Sequence, residues 1–373
     1  MIHLIFLAAI SFSCITKLAR EDNPFLKKDL CNLKFPTMEE CKPTETFTSF
    51  QCNTTLLYLK CFMVLSQSQK PMIAVLCFCI GGLCIVENLL VLFLIFSSSK
   101  LRKKPSYILL SSLALADTLA TVTFVSSFLN FHVFNMMSAS KEIYLLKLTG
   151  VNTSFTASLG SLFLMAFDRY ICILRPSHYK QLVTRRRAVV ALLVLWAAAL
   201  FLSSLPLLGW NCCSLQSTCS QLFPFVADSY LSSWIILVTV LLASIIYAYM
   251  HVLWKAHQHT ANMKKHHLEE FQQNPKRRLD IKLAKTLSIV LMVLVICWLP
   301  GLLLMAYSLF SIMDNFTRVA FAFCITLCLV NSMVNPAIYA LRSKELSSSL
   351  RRICSCLGKV LGNLETNQEA ESS

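Results

Sequence analysis

The chain has 373 residues, 56% of them hydrophobic and only 14% charged, whereas a water-soluble globular domain holds about 45–50% apolar and about 25% charged residues. A soluble globular fold is therefore excluded. The formal net charge of +15 calls for no nucleic acid, because the lysines and arginines gather between the apolar runs and not along one basic surface. The apolar surplus lies in seven runs, at 71–97, 105–131, 143–173, 188–209, 229–254, 281–310 and 317–341. A helix rises 1.5 Å per residue, so about 20 apolar residues cross a hydrocarbon core about 30 Å thick. The pattern predicts an all-α membrane protein: a seven-transmembrane helix bundle over 71–341, with an N-terminal segment over 1–70 and a tail over 342–373. Lys100, Arg102, Lys103 and Lys104, then Arg169 to Arg187, then the bases of 255–285 and 342–359, fall in alternate connections, while the opposite loops hold Lys141, Lys147 and Arg318. Positive charge marks the cytoplasmic side, so the N-terminus is expected outside and the C-terminus inside.

Along the N-terminal segment, Ile2 to Ile15 is apolar but short for a span and lacks the basic start of a signal peptide. Asn53-Thr54-Thr55 is a glycosylation acceptor. Cys31, Cys41, Cys52 and Cys61 suit disulfides in an oxidising lumen, in an order the sequence does not disclose. The first span carries Glu87-Asn88 and the second Asp117. An acid at a helix centre costs about 2.5–3.5 kcal/mol even on the lenient insertion scale, so Asp117 should face the bundle interior in polar company. Candidates are Asn88, Ser158, Asn331, Ser332 and Asn335. One carboxylate among neutral oxygens suits a sodium ion better than a transition metal, and a satisfied polar network without an ion is the alternative.

The third span closes on Asp168-Arg169-Tyr170, an acid, a base and a phenol at the inner rim. In water the Asp-Arg pair is worth little. At the rim of a helix bundle both groups are half-desolvated, and the partner that Arg169 takes reports the state of the bundle. The fourth span contains Trp196 and ends in Leu205-Pro206-Leu207-Leu208-Gly209-Trp210. Cys212, Cys213 and Cys219 follow, and predict a small loop closed by Cys219 with either Cys212 or Cys213. Cys77, Cys79, Cys84, Cys297, Cys324 and Cys328 lie inside spans and read as small apolar packers. The sixth span begins near Asp280 and contains Cys297-Trp298-Leu299-Pro300; the seventh contains Asn335-Pro336-Ala337-Ile338-Tyr339. Each proline removes a backbone donor and kinks its helix, which makes the sixth a natural lever. Beyond, Leu346, Leu350, Ile353 and Leu357 oppose Lys344, Arg351 and Arg352, the pattern of a short amphipathic helix on the inner leaflet, with Cys354 and Cys356 as candidate palmitoylation sites. The last dozen residues are polar and expected to be disordered.

Asp168-Arg169-Tyr170, Cys297-Trp298-Leu299-Pro300 and Asn335-Pro336-Ala337-Ile338-Tyr339, on the third, sixth and seventh of seven spans, together resemble the rhodopsin-class G-protein-coupled receptors over about 71–357. The resemblance implies that Arg169 and Asp280 form an inner lock that opens on activation. It also implies that Asp117 with Ser158 and Asn335 forms an allosteric sodium pocket, to which Asn88 and Asn331 also belong. Trp298 becomes the rotamer switch, and Tyr249 and Tyr339 the tyrosines that rearrange as the sixth helix swings out at Pro300. Tyr144 stands where most of the class has a bridging cysteine, and the fifth span, Trp234 to Trp254, has no proline. Both departures are shared by the cannabinoid, sphingosine-phosphate and lysophosphatidate receptors. Val151, where amine receptors carry an aspartate, excludes a salt bridge to a cationic amine. Phospholipid receptors pair an arginine with a glutamate at the positions of Lys147 and Leu148; here only the base remains.

Lys103-Lys104-Pro105-Ser106-Tyr107, Asn130-Phe131-His132-Val133-Phe134, His251 to His259 and Ala340-Leu341-Arg342-Ser343 are similar to stretches of the cannabinoid receptors. Met38-Glu39-Glu40-Cys41 is similar to the start of one member, which implies that 1–37 is an upstream extension. The resemblance assigns Phe124, Phe128, Phe131, Phe155, Phe223, Trp234, Trp298 and Phe321 to a ligand cavity, in which Ile325 replaces a serine that the family uses to bond ligand hydroxyls. Eight aromatics with hardly a charge suit a neutral long-chain or polycyclic lipid, each aromatic pair adding about 0.5–1.5 kcal/mol beyond area burial. The implied ligands are endocannabinoids, fatty-acid ethanolamides and monoacylglycerols. The implied partners are an inhibitory G protein that lowers cyclic AMP, and arrestin, for which the short tail leaves few phosphorylatable residues. A lysophospholipid receptor of the same branch is the nearest alternative. A transporter would show internal repeats and broken helices, and a seven-span zinc hydrolase several intramembrane His or Asp ligands; neither pattern is present, for only His132 and His251 lie within spans. No catalytic constellation remains.

Overall fold

The computed structural model describes residue 59 and residues 62–134, 140–266, 275–342 and 347–348, without the side chains of 256, 259–287, 337 and 339–342. Asn53, the four N-terminal cysteines, and the amphipathic segment with Cys354 and Cys356 lie outside the described residues. Seven long helices run in chain order: α1 Gln69–Ser97, α2 Pro105–His132, α3 Lys141–Leu174, α4 Arg185–Ser204, α5 Asp228–His266, α6 Pro275–Phe310 and α7 Asn315–Arg342. All seven are long and apolar enough to cross a membrane, and the protein is a multi-pass membrane protein of seven spans.

Local chemistry sets the helix starts. Pro105 opens α2, where its missing N–H is no loss and its fixed φ already suits the helix. Ser140 caps α3 by accepting from the Ile143 amide, Thr184 caps α4 through Arg187, and Asp314 caps α7 by accepting from the Thr317 amide at 2.9 Å. Two boundaries differ from the hydropathy runs. Helix α4 ends at Ser204 and not at 209, because Pro206 cannot continue the ladder and disfavours α geometry at Leu205. The chain then reverses through Gly209, whose φ of +122° suits only glycine. Helix α5 continues well past Trp254 to His266, since no glycine or proline interrupts it where the apolar run stops.

The helices pack around α3, which touches α2, α4 and α5, while α7 lies against α1, α2 and α6. Over its apolar window α7 is 89% buried and α4 22%, so α7 belongs to the interior and α4 to the lipid-facing rim. Side chains such as Val75, Phe78, Phe93, Leu193 and Phe201 point outward, as they must where the surrounding solvent is hydrocarbon. A Cβ on Gly160 would fall 2.2 Å from Leu195, so glycine permits the close approach of α3 and α4. There Trp196 donates to Ser112 at 3.0 Å, and Ser112 and Ser161 share a hydrogen bond of 3.0 Å, joining α4, α2 and α3.

Between α4 and α5 the chain makes a compact loop. Cys212 is disulfide-bonded to Cys219, one of the two pairings that the sequence leaves open, and Cys213 is disulfide-bonded as well. Antiparallel bridges Asn211–Val226 and Cys219–Ala227 close the loop back onto the start of α5.

Candidate functional site

At the centre of the bundle Asp117 is fully buried. Its Oδ1 accepts from the hydroxyls of Ser158 at 2.5 Å and Ser332 at 2.9 Å, and its Oδ2 accepts from Asn335 Nδ2 at 3.0 Å. The carboxylate thereby joins α2, α3 and α7. Asn88 donates to the carbonyls of Cys84 at 2.9 Å and Ser332 at 3.1 Å, so it steadies α7 beside the carboxylate without bonding it. Asn331 is buried but makes no described bond to Asp117. Of the expected pocket residues the structure therefore brings Ser158 and Asn335 onto Asp117, together with Ser332. Ser332 and Asn335 lie three residues apart and share a helical face.

Toward the end of the bundle that carries the loop between α4 and α5, two adjoining chambers of about 140 and about 70 Å³ share Phe124, Leu148, Val151, Phe223 and Ile325 and are treated together as the cavity, its outer part at that end. Phe128, Phe131 and Phe321 line its outer part, and Phe155, Trp234 and Trp298 its inner part, so all eight aromatics named from the sequence converge here. Their rings make a chain: His132 meets Phe128 at 4.5 Å, Phe128 stacks on Phe124 at 5.1 Å, Phe124 meets Phe155 edge-on at 5.9 Å, and Phe155 meets Trp298 at 5.6 Å with planes at 90°. Phe223 of the loop packs edge-on against Phe321 of α7 at 5.7 Å. Such offset and edge contacts are the favourable aromatic geometries. An object in the outer chamber is thus one unbroken series of contacts from the tryptophan two residues before Pro300.

Sequence reasoning missed several lining residues. Phe62 and Val64, just before α1, reach the outer chamber, as do Tyr144, Gln221 and Arg318. Tyr144 was singled out only as a missing cysteine, yet it packs on Phe131 and on the buried Phe225. No periodicity signals these residues, because they come from connections or helix ends. Among the described lining residues Lys147 and Arg318 are the cations.

At the opposite end of the bundle Asp168 is 3% exposed and accepts from three sides: Arg169 Nη2 at 3.2 Å, the Ser106 hydroxyl at 3.1 Å and the Tyr179 hydroxyl at 2.7 Å. Burial pushes the Tyr179 phenol up to about 12, so it stays a donor at neutral pH. Neither Ser106 nor Tyr179 was foreseen; each lies in a connection or at a helix start, close to Asp168 only after folding. Tyr170 packs against His251 of α5 at 5.3 Å, and Tyr249 is almost wholly buried. Pro300 and Pro336 lie inside α6 and α7. Asp280 and Tyr339 lie on those helices, but their side chains are outside the described residues. Among the described residues no group of three His, Cys, Asp or Glu side chains could hold a metal ion.

Residues 87–339 match the model of the rhodopsin family of seven-transmembrane receptors. The chain is 48% identical to human cannabinoid receptor 2 over 338 residues, which cover 90% of this chain and 93% of the relative. It is 49% identical to the mouse cannabinoid receptor 2 over 312 residues, covering 84% and 89%. Against cannabinoid receptor 1 of the newt Taricha granulosa it is 46% identical over 323 residues, covering 83% and 68%. The helix order, the buried polar centre and these similarities agree: the chain belongs to the rhodopsin family of G-protein-coupled receptors and, within it, to the cannabinoid receptors, and it is a receptor and not an enzyme.

Proposed function

We propose that this receptor binds neutral acyl lipids, the fatty-acid ethanolamides and monoacylglycerols, and signals through an inhibitory G protein to lower cyclic AMP. It does so from the plasma membrane, with its N-terminus outside. The observation that carries this reading is the cavity itself: eight aromatic rings from five helices and one loop, ending on the Phe155–Trp298 contact. Such a lining takes up apolar chains and rings by area burial and offers few polar groups to a headgroup.

A ligand touching Phe155 and Trp298 disturbs their packing, and α6 pivots at Pro300, where the helical ladder lacks a donor. The inner end of α6 moves away from Arg169, which becomes free to meet a G-protein helix. A binding difference of a few kcal/mol between the two states moves the population substantially. The centre of the bundle suits a sodium ion: the Ser158 and Ser332 hydroxyls can turn their oxygens toward a cation, and Asp117 supplies the negative charge. Bound there, the ion would tie α2, α3 and α7 more firmly and favour the resting arrangement. Glycosylation at Asn53 and palmitoylation at Cys354 and Cys356 belong to the same topology.

Lys147 and Arg318 in the outer chamber favour a second reading, a phosphate-bearing lipid gripped at its headgroup. G-protein activation in membranes separates the two, using a panel of ethanolamides, monoacylglycerols, sphingosine phosphate and lysophosphatidate. A response to the neutral lipids alone upholds the proposal; a response to the phosphate lipids alone transfers the assignment to the second reading.

A further inference from the structure

One side chain of the second outer loop grips α6, and the signalling scheme above makes no use of it. Gln221 donates from Nε2 to the carbonyls of Ser308 at 2.8 Å and Ser311 at 3.0 Å, and its Oε1 accepts from the Met313 amide at 2.9 Å. The Ser308 carbonyl is among the last four of α6, which have no partner inside the helix. Ser308 and Met313 are 4% and 2% exposed, so water is a poor substitute for the glutamine there. Only an amide on an arm of this length supplies two donors and an acceptor together.

The arm is itself braced. Ser220 donates its amide to the Val226 carbonyl at 2.7 Å, and its hydroxyl accepts from the amides of Leu222 and Phe223, the two residues following Gln221. The Cys212–Cys219 disulfide and the bridges to Val226 and Ala227 anchor that turn to the start of α5. All three polar functions of Gln221 are engaged by α6 and the turn after it. Although Gln221 lines the outer chamber, it therefore has no unused donor for a ligand.

We propose that Gln221 is a latch that fixes the outer end of α6 to the second outer loop and so holds the segment beyond Pro300 still while the rest of the helix pivots at that proline. With the outer end held, a disturbance at Trp298 is converted into displacement of the inner end; with it released, the same disturbance is absorbed by sliding at the top. Gln221 is thus a positioning residue for signalling and not a ligand contact. The inference rests on the swing of α6 proposed above, and the experiment separates the failure of one from the failure of the other.

The full chain, reconstituted in lipid nanodiscs, is compared with Gln221→Ala and Gln221→Glu; the glutamate keeps an acceptor and the arm but loses both donors. Amide hydrogen exchange across Ser308–Met313, which needs no ligand, should rise about tenfold in Gln221→Ala, the equivalent of about one hydrogen bond, and by less in Gln221→Glu, which keeps an acceptor for the Met313 amide. Nucleotide exchange on an inhibitory G protein, driven by a monoacylglycerol and normalised to folded receptor, should reach about half the wild-type maximum. Affinity for the same lipid should change by less than about threefold. Unchanged hydrogen exchange overturns the latch whatever the ligand is. A fall in affinity with an intact maximum makes Gln221 a ligand contact, and a fall in folded yield alone, with normal signalling per receptor, makes it merely structural; either result also overturns the proposal. If wild type ignores neutral lipids while the exchange result holds, the ligand assignment fails and the latch stands.

Discussion

Two buried carboxylates, Asp117 and Asp168, each accept from three partners, but the partners differ in kind and in place. Asp117 is met by two hydroxyls and an amide from α3 and α7, all of them neutral. Asp168 is met by a hydroxyl at the start of α2, a phenol from the inner connection and the guanidinium of its own neighbour. The first is a weld in the interior; the second is a clasp at the rim with a charged member, Arg169, still 31% exposed and able to change partners. Neither reaches the described part of α6. That helix meets the middle of the bundle through rings, apolar packing and a long, weak bond from the Cys328 thiol to the Cys297 carbonyl, and the second outer loop meets its outer end through Gln221. Polar bonds fasten α2, α3 and α7, while mostly contacts without strong direction hold α6, as its proposed swing requires.

The largest test of the weld is Asp117→Ala, which strands three buried polar partners. At about 1–3 kcal/mol for each unsatisfied group, the variant should lose most of its folded yield and melt well below wild type. Asp117→Asn, which keeps one acceptor oxygen, should recover part of the loss, and equal melting of all three proteins would remove Asp117 from its central place. Next in size is the ring contact to α6. Phe155→Ala and Trp298→Ala should each shift agonist potency by about tenfold and alter basal G-protein activity, since an aromatic pair is worth about 0.5–1.5 kcal/mol; unchanged basal and agonist-driven signalling in both would break the proposed route. The clasp should respond more gently. Tyr179→Phe removes one donor to Asp168, worth about 1 kcal/mol, and should raise basal nucleotide exchange about fivefold by loosening the hold on the Asp168–Arg169 pair.

The smallest effect belongs to a feature outside both networks. Asp314 caps α7, and the hydroxyl and amide of Thr317 hold its carboxyl below the usual carboxylate range. A lowered folded value stabilises above the unfolded value and is lost as pH falls through the folded one, so the cap should weaken only in strong acid. Asp314→Ala should cost about 1 kcal/mol at neutral pH and abolish that acid-dependent part of the melting curve.

Much of the site was legible in the linear chain because single residues carried it. Asp117 stands out as a charge inside an apolar run, and Trp298 and Pro300 as a ring and a missing donor in the same helix turn. The eight aromatics were named through resemblance, and the bundle brings all of them to one cavity. What escaped notice came from connections and helix ends: Tyr179, Gln221, Phe62 and Tyr144 lie in no periodic pattern, and a polar residue in a loop looks the same in sequence whether it faces water or clasps a helix end. The choice of Ser332 over Asn331 as a partner of Asp117 was equally hidden, because adjacent helical residues point about 100° apart and only the packing of α7 decides which one faces α2.

By itself the sequence determined the class of the molecule, the number and order of its spans and the places where charge enters the membrane, since hydrocarbon admits only long apolar helices and penalises every exception. The tertiary structure alone decided the pairings: Cys212 with Cys219, Ser332 with Asp117, Tyr179 with Asp168, and Gln221 with the end of α6. Each depends on the rotation and depth of one element against another, and those are set by the packing of whole helices and not by any residue read alone.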